Sequence, residues 1–483
     1  MGNTTQLSAR DRIISLFDNN SFVEIGAFVT KRSTDFNLRQ KETPGDGVIT
    51  GYGLIDGRLT YVYSQDVTSM NGTIGEMHAK KITQIYDLAL KVGAPVIGLI
   101  DCAGLRLEEA TDALNAFGEI YLKQSIASGV ILQISAIFGN SGGGVSISAA
   151  LSDFTFMTKQ ANLFVSSPNA LESNYKDKLD TSKADFQADA GLVDFVGEDD
   201  AAVLKQIREL VTILPSNNED DESFDECNDD LNRLVPSLDV DLKDSELILR
   251  QISDNNFFTE VKADYSKEMV TGFIRLNGMT VGAVANREEI LDQELKVSQK
   301  LDNSLTSGGC YKAASFVSIC DAFNIPLLSL TNVTGFKGTV EEEKSIGIAS
   351  AKLTYAFANA TVPKINVIVG KAYGSPYVAM NSKHIGADLV FAWEGSEIGM
   401  MDGKEAVKII YADEINQAKD SLSMINEKAK EYEELQSSAI AAAKRGYVDN
   451  IISADSTRKH LIYGYEMLFT KRESRPYKKH GTI

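Results

Sequence analysis

The chain has 483 residues, 43% of them apolar and 24% charged, with nine prolines and a formal net charge of −19. That length supports two domains, each with its own core, in a soluble globular protein. The negative balance excludes nucleic acid as a partner, because phosphates would be repelled; it suits a soluble oligomer and says nothing about fold.

At the N-terminus, MGNTTQLSARDRIISLF has no apolar signal-peptide core, and Gln6 stands where myristoylation needs Ser or Thr. No window offers the roughly 18 apolar residues of a membrane span. The next clear element is VITGYGLIDGRLTYVYSQ from Val48, two period-2 strands around an Asp-Gly turn, which is a hairpin signal. AKKITQIYDLALKVGAPVIGLID from Ala79 then reads as an amphipathic helix of period 3.6 and a short buried strand. A second buried strand, ILQISAIF, leads into GNSGGGVSISAAL at Gly139.

An acidic stretch from Ser216 to Glu246 follows, rich in Asp and Glu, and reads as a solvated connector. Beyond it the plan repeats. MVTGFIRLNGMTVGAVAN from Met269 is a second hairpin pattern, KAASFVSICDAFNIPLLSLTN from Lys312 a second helix and strand, and ATVPKINVIVGKAYGSP a second strand and glycine turn. Pro95 matches Pro326 and Gly143 matches Gly374 at one offset of 231 residues, so the order is a duplication and not a coincidence of composition. AKDSLSMINEKAKEYEELQSSAIAAAKRGYVDNII near the end reads as a long helix and a surface segment. The expected organisation is an α/β protein of two lobes, residues 1–235 and 236–483.

The triple glycine carries no side chain for chemistry. It stands at a strand-to-helix junction, where the first turn of a helix presents free N–H groups and partial positive charge. Without a Cβ, a ligand oxygen reaches those groups closely. That is the construction of an oxyanion hole, in which losing one donor typically costs about 3–4 kcal/mol of transition-state stabilisation. Tight strand–helix packing is the alternative reading of a single glycine turn. The equivalent KAYGSPYVAM in the second half favours two such sites, one per lobe. A phosphate loop is excluded because GxxxxGK[ST] is absent, and Ser141 in GNSGG does not make GxSxG. Of the four histidines, His78 reads as a capping or packing residue, His384 follows the second glycine turn, and His460 and His480 lie near the end. No metal-ligand cluster is visible, so no metal is expected. Cys102, Cys227, Cys310 and Cys320 show no CxxC spacing, which argues for reduced thiols.

Taken together, GDGVITGYGLIDGR, YVYSQD, GEMHAKK, GAPVIGLID, SGVILQISAIFG, DAFNIPLL, ATVPKINVI, KAYG and SKHIGAD resemble the carboxyltransferase components of biotin-dependent acyl-CoA carboxylases and decarboxylases. Such subunits include the beta subunit of propionyl-CoA carboxylase and the alpha subunits of methylmalonyl-CoA and glutaconyl-CoA decarboxylases. The resemblance implies two tandem crotonase-like lobes, the N-terminal one on the acyl-CoA side and the C-terminal one on the biotin side. Gly143 and Gly144 would hold the thioester enolate, and Gly374 and Ser375 would polarise the biotin carbonyl. Ala103, Gly104, Arg106, Gly335, Phe336, Tyr377 and Val378 would line the substrates. Carbon dioxide released from carboxybiotin would meet the enolate, with the biotin nitrogen taking the α-proton, so that no strong side-chain base is needed.

The resemblance also implies a homo-oligomer, a hexamer built as a trimer of dimers with sites between subunits. It implies biotin on a separate carrier protein and a biotin carboxylase or membrane decarboxylase subunit as partner. The expected location is the cytoplasm, with membrane association through those partners. No MKM biotinylation site and no ATP-binding glycine loop is present. Departures from the family pattern are Tyr373-Gly374-Ser375-Pro376-Tyr377 in place of YGGAY, and Cys102-Ala103 and Leu105 within the DSGGAR segment. Pro376 removes one N–H, although proline is tolerated early in a helix. Arg106, Lys80 and Lys81 are candidates for CoA phosphates or for ordinary solvated roles. Two other readings fit a glycine turn: a crotonase-type hydratase or hydrolase needing one oxyanion hole, and a CoA-binding scaffold without turnover.

Overall fold

In the computed structural model, which describes residues 6–32, 43–172, 179–220, 224, 226–236, 238–239, 243–292 and 294–475, both Xxx-Gly turns close hairpins. Asp56 and Gly57 (φ 48° and 82°), like Asn277 and Gly278 (φ 53° and 77°), hold positive φ at both central positions. Such turns match the twist of the strands they join.

The chain divides into two units, 1–223 and 224–483. Strands of the first are β1 (Val23–Ile25), β2 (Val48–Ile55), β3 (Arg58–Gln65), β4 (Val96–Ile100), β5 (Gln133–Ile137), β6 (Asn140–Gly142), β7 (Phe154–Thr158), β8 (Asn162–Phe164) and β9 (Phe195–Gly197). The main sheet runs β1-β2-β3-β4-β5-β7-β9, antiparallel across its first two pairings and parallel across the other four. The second unit holds β10 (Thr259–Val261), β11 (Met269–Leu276), β12 (Met279–Asn286), β13 (Glu289–Leu291), β14 (Val297–Lys300), β15 (Leu327–Val333), β16 (Lys364–Tyr373), β17 (Leu389–Trp393), β18 (Glu397–Gly399) and β19 (Asn450–Ile452). Its sheet runs β10-β11-β12-β15-β16-β17-β19, with the same two antiparallel and four parallel steps. Register agrees as well: Val96 pairs with Gln133 and Leu327 with Lys364, each shifted by the offset read from the sequence. The duplicated α/β plan is therefore realised strand for strand along the two main sheets.

Helix Glu76–Val92 shows why the periodic segments fold as they do. Ile82, Ile85, Tyr86 and Ala89 share one buried face, and Gly93 ends the helix at φ 68°. Full burial of one such aliphatic side chain contributes about 1.5–3 kcal/mol. That face meets Phe117 and Ile120 of helix Ala110–Ala127 and Ile100 and Ile137 of the sheet in one core. The second core gathers Val270, Leu328, Ile365 and Trp393 of the sheet with Leu461 and Ile462 of helix Thr457–Leu468.

Two expectations are corrected. The acidic stretch is not simply solvated. Val235 and Leu238 are buried, and Asp244 is buried as the cap of helix Ser245–Ile252. Arg458, fully buried, pairs with Asp254 at 2.6 Å. Val235 and Leu238 pack into the core of the second unit. The long C-terminal helix is broken: Ser421–Tyr432 passes through a π turn, and Ser438 then caps a new helix, Ala439–Lys444, by accepting from the Ala441 N–H at 3.1 Å. The residues after it are the last strand of the second sheet, β19.

Candidate active site

In the first unit, β5 ends where Gly139 packs on Asp101; a Cβ there would lie 1.8 Å from Asp101 Oδ1. The chain continues as β6, held in parallel by β8, and turns at Gly143 (φ 62°, ψ −127°) into helix Gly144–Ala150. That conformation belongs to glycine. Nothing lies within 4 Å of the position a Gly143 Cβ would take, so this face of the turn is open. The Ala103–Gly104 segment beyond β4 comes to the same corner: a Gly104 Cβ would stand 3.7 Å from the Gly142 carbonyl oxygen.

The second unit repeats the corner. β16 is held in parallel by β18 through Tyr373 and turns at Gly374, again at φ 62°, into helix Gly374–Ala379. Val333 pairs with Ala372, two residues before this turn, and the Gly335–Phe336 segment beyond β15 is held by Leu305. A Cβ on Gly335 would meet nothing within 4 Å, and Phe336 is 42% exposed. Ser375 is exposed, Val378 half-buried and Tyr377 buried, with its ring edge-on to exposed His384 at 5.8 Å. Burial pushes the Tyr377 phenol up to about 12, and its Oη has no partner among the described residues.

The hydrogen bonds constrain three of the expected site residues. The Gly143 N–H donates to the Phe164 carbonyl at 2.9 Å and is committed internally. What Gly143 supplies is the turn and the open face; the N–H groups left at the start of the helix are those of Gly144 and Val145, because the Ser146 N–H donates to Gly143 O at 3.1 Å. The Ala103 N–H is likewise committed, to Asn71 O at 3.2 Å. Arg106 does not reach solvent for a CoA phosphate: at 1% exposure it pairs with Asp46 at 2.7 Å and Glu109 at 2.8 Å, and donates to Thr73 O at 2.8 Å. Lys81 is also buried, its Nζ on Gly45 O at 2.8 Å, whereas Lys80 is exposed beside Glu76.

His78 is a packing residue. Its Nδ1–H donates to Asp46 O at 2.9 Å and its Nε2 accepts from Gln65 Nε2 at 3.2 Å. Burial, with Arg106 and Lys81 nearby, lowers its pKa to about 3, so the ring is neutral. Gln65 also accepts from the Asp101 N–H at 3.2 Å, and Asp101 pairs with buried Arg12 at 3.2 Å. This chain of partners fixes the segment leading into Ala103 and Gly104. A cleft of about 610 Å³ opens beside it at the carboxyl ends of the parallel strands, the usual ligand position of such sheets; Asn71, Asp101, Ala103, Asn140 and Asn162 line it. His480 lies outside the described residues.

Sequence reasoning missed Tyr121, whose Oη donates to the Gly144 carbonyl at 2.7 Å. It also missed Glu397, which accepts from the Tyr373 hydroxyl next to the second turn. Neither residue lies in a motif; each reaches its turn through the fold.

Two sheets of one strand order, each ending in a positive-φ glycine corner that opens a short helix, define a tandem crotonase-like protein. The model of the carboxyl transferase domain matches residues 3–483, and the chain belongs to that family. It is 40% identical to the methylmalonyl-CoA decarboxylase subunit alpha of Propionigenium modestum, over 99% of this chain and 93% of the relative. It is 38% identical to the propionyl-CoA carboxylase beta chain of Roseobacter denitrificans, over 99% of this chain and 94% of that one. Among solved structures, transcarboxylase 12S, described as a hexamer with methylmalonyl-coenzyme A bound, superposes with a TM-score of 0.92 at 37% identity, covering 99% of this chain and 92% of the other. The protein is thus an enzyme of the biotin-dependent acyl-CoA carboxyltransferase class, serving a carboxylase or a decarboxylase. Among the described residues, no helix is long and apolar enough to cross a membrane.

Proposed function

We propose that this chain moves a carboxyl group between carrier-bound biotin and a short acyl-CoA, with the first unit holding the thioester and the second holding biotin. The observation that carries this reading is the open glycine corner at Gly143, rebuilt at Gly374 with the same φ. A thioester oxygen seated against the open face meets the first-turn N–H groups from Gly144 and the positive end of the helix. As the α-carbon gains charge, the oxygen becomes an enolate, and donors already in place stabilise it without reorganisation.

At the second corner, the Gly374–Ser375 turn offers the same kind of first-turn donors, and exposed Ser375 adds a hydroxyl beside them. The chemistry of the turn fits a ureido carbonyl in that Gly374 carries no Cβ and Ser375 offers a hydroxyl donor, while the Met400 carbonyl stands 3.3 Å from where a Gly374 Cβ would lie. Bound biotin supplies the carboxyl group and a basic nitrogen, chemistry the side chains here do not provide. His78 fits that division of labour, since both its ring nitrogens are held by Asp46 O and Gln65 and its lowered pKa makes it a poor base. The amide-lined cleft at the strand ends suits the neutral, amide-bearing arm of coenzyme A, with Asp101 on its wall disfavouring the phosphates.

Methylmalonyl- and propionyl-CoA are the acyl-CoA compounds named for the relatives. A homo-hexamer, a biotin carrier and a further carboxylase or decarboxylase subunit complete the reading. The test is to incubate the protein with biotin carrier and a series of carboxyl-labelled malonyl-type CoA esters. Label should appear on the carrier, fastest from methylmalonyl-CoA. Hydration or hydrolysis of acyl-CoA without label transfer would replace this reading with a hydratase or hydrolase.

A further inference from the structure

We propose that Tyr121 is a positioning residue for the acyl-side reaction: through the Gly144 peptide it orients the donors that hold the thioester oxygen. The inference rests on the reading that the first-unit corner holds that oxygen.

Tyr121 projects from the middle of helix Ala110–Ala127, an element that contributes no residue to the turn itself. Its hydroxyl donates to the Gly144 carbonyl at 2.7 Å. Its ring packs with Phe117, centroids 5.6 Å apart. Together the two side chains occupy the space a Gly144 Cβ would need, which would lie 2.5 Å from Tyr121 Oη and 3.3 Å from the Phe117 ring. Gly144 is therefore glycine for a reason different from Gly143: its α-carbon is wedged against a phenol, and its carbonyl is tied to that phenol's oxygen.

The consequence follows from the planar peptide. The Gly144 carbonyl and the Val145 N–H belong to one rigid plane and point in opposite directions, so a hydrogen bond that fixes the carbonyl also aims the N–H. Donation into the carbonyl polarises the same peptide and strengthens its N–H as a donor. The Gly144 N–H, on the other side of the wedged α-carbon, loses freedom with it. Burial raises the phenol's pKa, so the hydroxyl keeps its proton and its donor role across the working pH range. In the second unit the position 231 residues on is Lys352, whose Nζ stands over the Tyr311 ring at 5.2 Å, so the phenol brace is not repeated at the matching residue.

The experiment uses the full chain with its biotin carrier and whichever of malonyl- and methylmalonyl-CoA the wild type uses faster. Tyr121→Phe keeps the ring and removes the hydroxyl. The expected result is a kcat about fivefold to tenfold lower, the worth of one ordinary hydrogen bond, with KM for the acyl-CoA within twofold and the melting temperature nearly unchanged. A structural role alone would move the melting temperature and not this split. An unaltered kcat, or a raised KM at constant kcat, overturns the proposal. Gly143→Ala, whose methyl enters the open face of the corner, separates the two layers. If that variant, still folded, matches wild type in rate, the donor reading of the corner fails and the proposal fails with it. If it is inactive while Tyr121→Phe equals wild type, only the positioning role falls.

Discussion

Gly143 and Gly374, one in each unit, turn at the same φ of 62° at the junction of a parallel strand and a short helix. The two corners are supported alike, by β6 against β8 in one unit and the end of β16 against β18 in the other. They differ in what stands around them. Gly143 faces open space, whereas Gly374 faces the Met400 carbonyl, and proline follows two residues later. Duplication has thus kept the backbone device and altered its walls, as expected if two chemically different carbonyls are held.

Arg106 serves the frame and not the substrate. Truncation to Ala leaves Asp46 and Glu109 as uncompensated buried charges, and breaking such a pair costs about 3–5 kcal/mol. Arg106→Ala should therefore lower the denaturant midpoint sharply or yield insoluble protein. If it were instead fully stable with a raised KM for acyl-CoA, Arg106 would be a ligand contact after all.

His78 sets a pH dependence. Its folded pKa, about 3, lies below the ordinary value of 6.5, so the unfolded chain takes up a proton first. Its contribution to stability is complete above pH 6.5 and is lost progressively as pH falls toward 3, at up to about 1.4 kcal/mol per pH unit. Between pH 7 and 5 the wild type should lose melting temperature faster than His78→Gln. Parallel curves for the two proteins would show that His78 does not titrate differently on folding.

Pro376 removes an N–H from the second helix without removing the donors ahead of it. Pro376→Ala should leave carboxyl transfer within about twofold and cost about 0.4–1 kcal/mol of stability through greater freedom of the unfolded chain. A tenfold gain in rate would mean that an N–H at position 376 is needed by the reaction.

Much of the scaffold could be read before folding because it is written locally. The Asp-Gly and Asn-Gly turns, the period of helix Glu76–Val92 and the common offset of the two halves each depend on neighbouring residues, and each appears in the structure. The site was legible as a pair of glycine corners and no further. Arg106 looks like a free cation in sequence; the carboxylate that claims it lies sixty residues earlier. Gly143 looks like a donor for a ligand until Phe164 arrives on β8, its carbonyl accepting the Gly143 N–H hydrogen bond. Tyr121 sits unremarked inside a helix because its partner belongs to another element. The break at Ser438 was hidden by strong helical propensity on both sides, which a cap and the adjacent strand β18 override.

The most direct measurement is the rate at which carboxyl label passes from methylmalonyl-CoA to carrier-bound biotin, taken for the wild type and Gly143→Ala side by side. A methyl at position 143 enters the open face and strains the turn. The wild type should transfer label, and the variant, while still folded, should be slower by about a hundredfold or more, the scale of a lost oxyanion contact. Equal rates in the two proteins, or a wild type that leaves the label on coenzyme A for every acyl chain offered, would contradict the account.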